Sequence, residues 1–225
     1  MMKKFGILLL TLALICGAAL ADTVDVTITN GQGEICLARE SVEVTDVDGD
    51  GALTICDALY CAHEAYFNGG ADAGFATEDQ GYGPSLTMLW GEENGGSYGY
   101  CVNNVPAVNL ADPIAEGDHI HAYAYQDLEA WSDQFSYFQV TDGDERSLTL
   151  VALGYDADWN VVTSPLAGAA VTVDGEDSGL VTDENGAIEI TDLNLTESGV
   201  HVISASCADA VIVPPVFTIT VAVAE

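Results

Sequence analysis

The 225-residue chain carries 36 Asp and Glu against 4 Lys and Arg, a formal net charge of −32, and 49% of its residues are hydrophobic. Such a field repels nucleic acid and anionic lipid, which makes both poor partners, and it attracts cations. The apolar residues recur periodically, so a folded protein with a solvated acidic surface is expected rather than a disordered acidic chain. Adaptation to salt would leave the same lysine-poor composition.

Lys3 and Lys4 precede an apolar run over residues 5–15 and small residues ending in Ala19-Leu20-Ala21. This is the pattern of a secretory leader with an A-x-A cleavage site, so residues 1–21 are expected to be removed, leaving a protein that is secreted or held at the cell surface. The apolar run is too short for a permanent anchor, and no membrane span is expected. Acylation of Cys16 is an alternative that the preceding Ala13-Leu14-Ile15 fits poorly. Past the leader, only Arg39 and Arg146 stand against the 36 carboxylates, and the cysteines are Cys36, Cys56, Cys61, Cys101 and Cys207. Export permits disulfides, but an odd count leaves at least one thiol free or paired between molecules, and the pairing stays open.

"TVDVTITN" and "SVEVTD" alternate apolar and polar residues as half-buried strands do. The second leads into "DVDGDGALTICDAL", residues 46–59. There Thr54, with Asp57 three residues on, predicts a capping box that opens a helix reaching about Phe67, with Ile55, Leu59, Ala62 and Tyr66 on its apolar face. Residues 68–100 are rich in glycine and aromatics and predict short strands and tight turns. "AEGDHIHAYAYQD" and "WSDQFSYFQV" predict two further strands, and a composition shift near "TDGDERS" marks a boundary. Beyond it, evenly spaced strand-like runs, with an Asn185-Gly186 hairpin signal, predict a small β-sandwich. The fold class expected is α+β: a small β-grasp-like α/β domain with one main helix over 22–143, then an immunoglobulin-like β-sandwich over 144–225.

An EF-hand-type loop binds calcium through oxygens at positions 1, 3, 5, 7, 9 and 12, with glycine at 6 for the sharp turn. Counted from Asp46, these are Asp46, Asp48, Asp50, the Ala52 carbonyl, Thr54 and Asp57, with Gly51 at the turn. Every slot holds a suitable oxygen, and Ca2+ is the cofactor expected for the loop over 46–57. An acidic turn is the competing account, and the filled last position together with the helix phase argues against it. Aspartate in place of glutamate at that last position shortens the reach to the ion.

"DVDGDGALTICDAL" resembles the calcium-binding repeat of type I dockerins, which implies a place in a polysaccharide-degrading assembly. Dockerins carry two such repeats, and "DGDERSLTLVAL", the other candidate, lacks the ligand spacing and leads into a strand. The first half of the chain is similar to the domain of unknown function DUF4430, related to the C-terminal domain of transcobalamin and intrinsic factor. That resemblance is carried by "TICDALYCAHEAY", "GYGPSLTMLWG", "YGYCVNNVPA", "IAEGDHIHAYAYQD" and "WSDQFSYF". It implies a β-grasp-like fold and a small ligand such as a cobamide or glycan. The second half resembles bacterial immunoglobulin-like and carboxypeptidase-regulatory-like modules through "PLAGAAVTVDGEDSGLVTDENGAIEITDL", which implies a spacer or adhesive role.

Trp90, Tyr98 and Tyr100, with Tyr123 and Tyr125, are candidates to line a ligand surface, and core packing accounts for them equally well. His119 and His121 lie two apart on a strand and could share a metal with Asp118, though a third ligand is not identified. No nucleophile–base pair stands out among so many carboxylates, so a non-catalytic protein is expected, one that binds an extracellular protein or cell-envelope partner.

Overall fold

The computed structural model describes residues 21–79, 81–141 and 144–222. The leader expected over residues 1–21 lies outside the described residues except for Ala21, where the first strand begins.

The chain forms a β-rich α+β fold. Strands β1 (Ala21–Thr29) and β2 (Ile35–Thr45) form an antiparallel hairpin, and the chain then enters helix α1 (Ile55–Tyr66) and the single turn α2 (Ala71–Gly74). Strands β3 (Ala76–Asp79) and β4 (Pro84–Met88) pair with each other. Next come β5 (Tyr98–Val102), β6 (Val105–Pro106) and β7 (His119–Ala124). The first sheet has the order β2-β1-β7-β5-β6, with β1 and β7 parallel. Val24, Val26 and Ile28 of β1 and Ile120 and Ala122 of β7 meet Ile55, Ala58, Leu59 and Ala62 of α1 in one buried core. The helix therefore covers one face of the sheet. Its buried stripe runs through Ala58 and His63, whereas Tyr66, expected on that face, is 43% exposed and donates its hydroxyl to the Ser41 carbonyl. An apolar ring with a polar tip settles at the end of a helix where both can be served.

Strands β8 (Gln134–Thr141) and β9 (Asp144–Tyr155) form an antiparallel hairpin, joined by β10 (Val161–Pro165) on β9. The boundary expected between residues 143 and 144 falls at the start of β9, which pairs with β8, so β8 shares a sheet with the strands that follow it. Strands β11 (Ala170–Val173) and β12 (Glu176–Val181) turn through Asp174-Gly175, both at positive φ, as a two-residue hairpin requires. Strand β13 (Ala187–Glu189) and a 3-10 turn (Ile190–Leu193) precede β14 (Gly199–Ser206), β15 (Ile212–Val213) and β16 (Phe217–Val221). The remaining sheets have the orders β10-β9-β8-β15, with β13 also on β9, and β12-β11-β14-β16.

Asn185-Gly186 does form a turn, bracketed by the Asp183 carboxylate, but it does not close a hairpin. β12 ends at Val181 on β11, and β13 pairs with β9, so this turn carries the chain from one sheet to the other. Phe138, Leu148 and Leu150 from one sheet and Val171, Ile203 and Ala205 from the other share a second core. A third cluster, Cys101, Tyr123, Phe135 and Val213, joins the β5/β7 face turned away from α1 to strands β8 and β15. No helix among the described residues is long and apolar enough to cross a membrane.

Candidate functional site

The loop between β2 and α1 folds around Asp46. Its carboxylate accepts the backbone N–H groups of Gly49 at 2.8 Å, Asp50 at 3.2 Å and Gly51 at 3.0 Å. Asp48 accepts from Asp50 N–H at 3.1 Å, and Asp50 from Ala52 N–H at 2.8 Å. Gly49 and Gly51 take φ of 76° and 91°, which the tight winding demands and a side chain would resist. These bonds bring one oxygen of each of Asp46, Asp48 and Asp50 within 4.8 Å of the others. Like charges so close repel by about 1 kcal/mol per pair even in water, and more as the dielectric falls, a repulsion that a cation placed among them would relieve.

Asp57 and Thr54 have a different position. Thr54 is the N-cap of α1 and Asp57 its third residue, and the predicted capping box is present. Asp57 is only 3% exposed. One of its oxygens accepts Thr54 N–H at 2.9 Å and Thr54 Oγ1–H at 2.7 Å, and the other accepts Val47 N–H at 2.9 Å. The carboxylate thus ties the start of the loop to the start of the helix. Ile55 and Cys56 N–H groups, which a helix start leaves without partners, donate to the carbonyls of Asp112 and Leu110. Of the six ligand positions expected, the structure gathers three carboxylates and assigns Asp57 and the Thr54 hydroxyl to the cap. Ala52 occupies the turn between the two groups. An all-oxygen set of this kind could hold a calcium ion, with Asp46, Asp48 and Asp50 offering the charged oxygens. Among the described residues, this is the one group of three or more His, Cys, Asp or Glu side chains close enough to share an ion.

His119 and His121 lie on the sheet face away from α1, their rings 6.2 Å apart, and both are buried. His119 Nε2 bonds Thr27 Oγ1 at 2.8 Å, and His121 Nε2 lies 3.5 Å from Thr29 Oγ1. Burial lowers His119 to a pKa of about 4 and His121 to about 3, with Arg39 adding to the first and the neighbouring His119 to the second. Asp118 is taken up by Asn103 Nδ2 and Ala115 N–H. The pair is a neutral, hydrogen-bonded element of the sheet.

Of the expected ligand aromatics, Trp90 packs against the α1 core. Its ring lies 5.0 Å from His63 and 5.2 Å from Phe67, and its backbone N–H donates to His63 Nε2. Since Nδ1 of His63 faces the Leu59 carbonyl, that histidine is held neutral, and burial lowers its pKa to about 4. Tyr98 and Tyr100 face the α1 core as well, and their hydroxyls donate to backbone carbonyls, those of Thr87 in β4 and Glu92 for Tyr98 and that of Val108 for Tyr100. The five cysteines among the described residues are free thiols. Desolvation raises Cys36 and Cys56 to about 11 and Cys101 to about 12, which keeps all three protonated and unreactive.

Four of the five aromatics expected at a ligand surface, Tyr98, Tyr100, Tyr123 and Tyr125, line one cleft of about 320 Å³ beside β5; sequence reasoning missed the Asp133 and Tyr155 that complete it. Its walls come from strands distant in sequence, and the local signal was the two Asp-led loops, "DLEAWS" and "DADWN", each carrying a tryptophan as its next-to-last residue.

Comparison with protein-family models, with curated proteins and with solved structures finds no match to this chain.

Proposed function

We propose that the chain is an exported, calcium-binding accessory or adhesion protein whose role is binding or scaffolding rather than turnover. The observation that carries this reading is the convergence of Asp46, Asp48 and Asp50 on a loop whose backbone already holds them in place. Calcium would neutralise the three carboxylates and fix the β2-to-α1 connection. The β2-β1-β7-β5 order with α1 across it supports a β-grasp-like first domain of the DUF4430 kind. The two facing sheets around Phe138, Leu150 and Ile203 support an immunoglobulin-like second domain, and we place the division in the segment 125–133 ahead of β8. Together these suit a surface module that presents a rigid face to an extracellular or cell-envelope partner.

Isothermal titration of the purified protein tests the metal. One Ca2+ per chain, bound in excess Mg2+ and lost when Asp46 and Asp50 are both replaced by alanine, is the expected result. Heat unchanged by those replacements would refute the site.

A further inference from the structure

All three tryptophans of the chain sit in left-handed backbone, Trp90 at φ 52°, Trp131 at 56° and Trp159 at 65°. A bulky side chain adopts this region only when its surroundings hold it there. Core packing explains Trp90, but Trp131 is 58% exposed and Trp159 82% exposed. Their loops are built alike. The Asp127 carboxylate accepts Glu129 N–H, Ala130 N–H and the Ser132 hydroxyl, and Trp131 N–H returns to the Asp127 carbonyl. The Asp156 carboxylate accepts Asp158 N–H and the N–H groups of Asn160, and Trp159 N–H returns to the Asp156 carbonyl. Each indole is backed by a tyrosine, Tyr125 at 5.5 Å and Tyr155 at 6.2 Å between ring centres. Both tyrosines line the same cleft, with Asp133 and Tyr123 beside them.

Two rigid loops thus hold strained, solvated indoles beside one groove, and neither ring gains a core from its position. We propose that this groove binds a neutral glycan chain, stacking sugar rings on the Tyr125–Trp131 and Tyr155–Trp159 pairs. Sugar C–H faces suit aromatic platforms, and the hydroxyls find acceptors in the carboxylates and amides of the same loops. The acidic field repels polyanionic chains. Asp133 keeps its charge while its oxygens accept the backbone N–H groups of Gln126 and Asp127, so a compact organic cation is the competing occupant. Two aromatic pairs on separate loops, however, offer more platforms than one such cation can use. The proposal extends the binding role suggested above and does not depend on the calcium loop.

The test is quenching of tryptophan emission in the purified protein by neutral hexasaccharides of glucose, mannose, xylose and N-acetylglucosamine. Hyaluronate and tetramethylammonium serve as comparisons, each titrated in EDTA and in Ca2+. At least one neutral hexasaccharide should bind in both media. Trp131→Ala and Trp159→Ala should each weaken it about tenfold, and Trp159→Tyr should restore most of the loss. Binding that persists in EDTA upholds the groove even where calcium binding itself fails. No response to any neutral sugar, indifference to both alanine replacements, or preference for tetramethylammonium would overturn the proposal.

Discussion

At the scale of single residues, Asp57 and Asp48 carry the same charge in the same loop but do different work. Asp57 is buried and satisfies two backbone N–H groups and a hydroxyl, whereas Asp48 is exposed and accepts one bond. Asp57→Ala should therefore cost about 2–4 kcal/mol in EDTA, where no ion contributes, because buried donors lose their acceptor. Asp48→Asn should cost less than about 0.5 kcal/mol there and act only on calcium affinity. Urea denaturation of both variants in EDTA decides this, and equal losses would contradict the assignment. The histidines add a pH dependence of definite sign. His63, His119 and His121 are buried and neutral, with folded pKa values lowered from 6.5 to about 4, 4 and 3. Between pH 6.5 and 4 the unfolded chain binds the extra protons, so stability falls as pH drops through that window, by several kcal/mol in all. His201 works the other way. Its ring nitrogens face the Glu197 carbonyl and the Asp174 carboxylate, both acceptors, and its pKa is raised by the two bonds. Its contribution is present below pH 6.5 and fades as pH rises through the folded value. Urea midpoints should drop between pH 7 and pH 5, and His121→Gln should flatten the decline; a pH-independent midpoint would contradict the burial of these rings.

At the scale of elements, packing around Gly99 gives a sharper test than its backbone. A Cβ added there would run into the ring of Tyr123 on the neighbouring strand, so Gly99→Ala should destabilise by roughly 1–3 kcal/mol. Tyr123→Leu in the same chain should relieve part of the loss, and a neutral Gly99→Ala would show that the ring does not lie across β5. Elements defined by short-range chemistry were legible in the sequence. Thr54 and Asp57 marked the start of α1, and the alternation of "HIHAYA" marked β7. So was the spacing that brings Asp46, Asp48 and Asp50 together. What stayed hidden depends on partners far along the chain. Asn185-Gly186 reads as a hairpin until β13 is seen to pair with β9 rather than β12. Trp90 reads as an open ligand platform, whereas its ring packs on His63 of α1 and on Phe67 just past it. At Asp57 the spacing of a capping box and that of a calcium loop coincide, and the bonds the structure draws there are those of the cap.

At the scale of the molecule, the first sheet is covered by α1 on one face and meets β8 and β15 on the other, and the β8–β9 sheet shares its own second face with the β11–β14 sheet. Phe135 lies in the middle, its ring 5.2 Å from His121 and 5.8 Å from Tyr123. Unfolding in urea should therefore be one transition, coincident by tryptophan fluorescence and far-UV circular dichroism. Phe135→Ala should cost about 3–5 kcal/mol and separate the two signals. The central claim is that the Asp46–Asp48–Asp50 loop takes calcium and that the ion holds the fold. The direct test is the thermal midpoint of the purified protein in EDTA and across a Ca2+ titration at constant ionic strength, with Mg2+ in parallel. Binding to the folded state alone should raise the midpoint continuously with Ca2+, far less with Mg2+, and not at all once Asp46 and Asp50 are alanine. A midpoint that is the same in EDTA and in Ca2+, or that climbs equally with Mg2+, would show that the three aspartates form a solvated turn and would contradict the account.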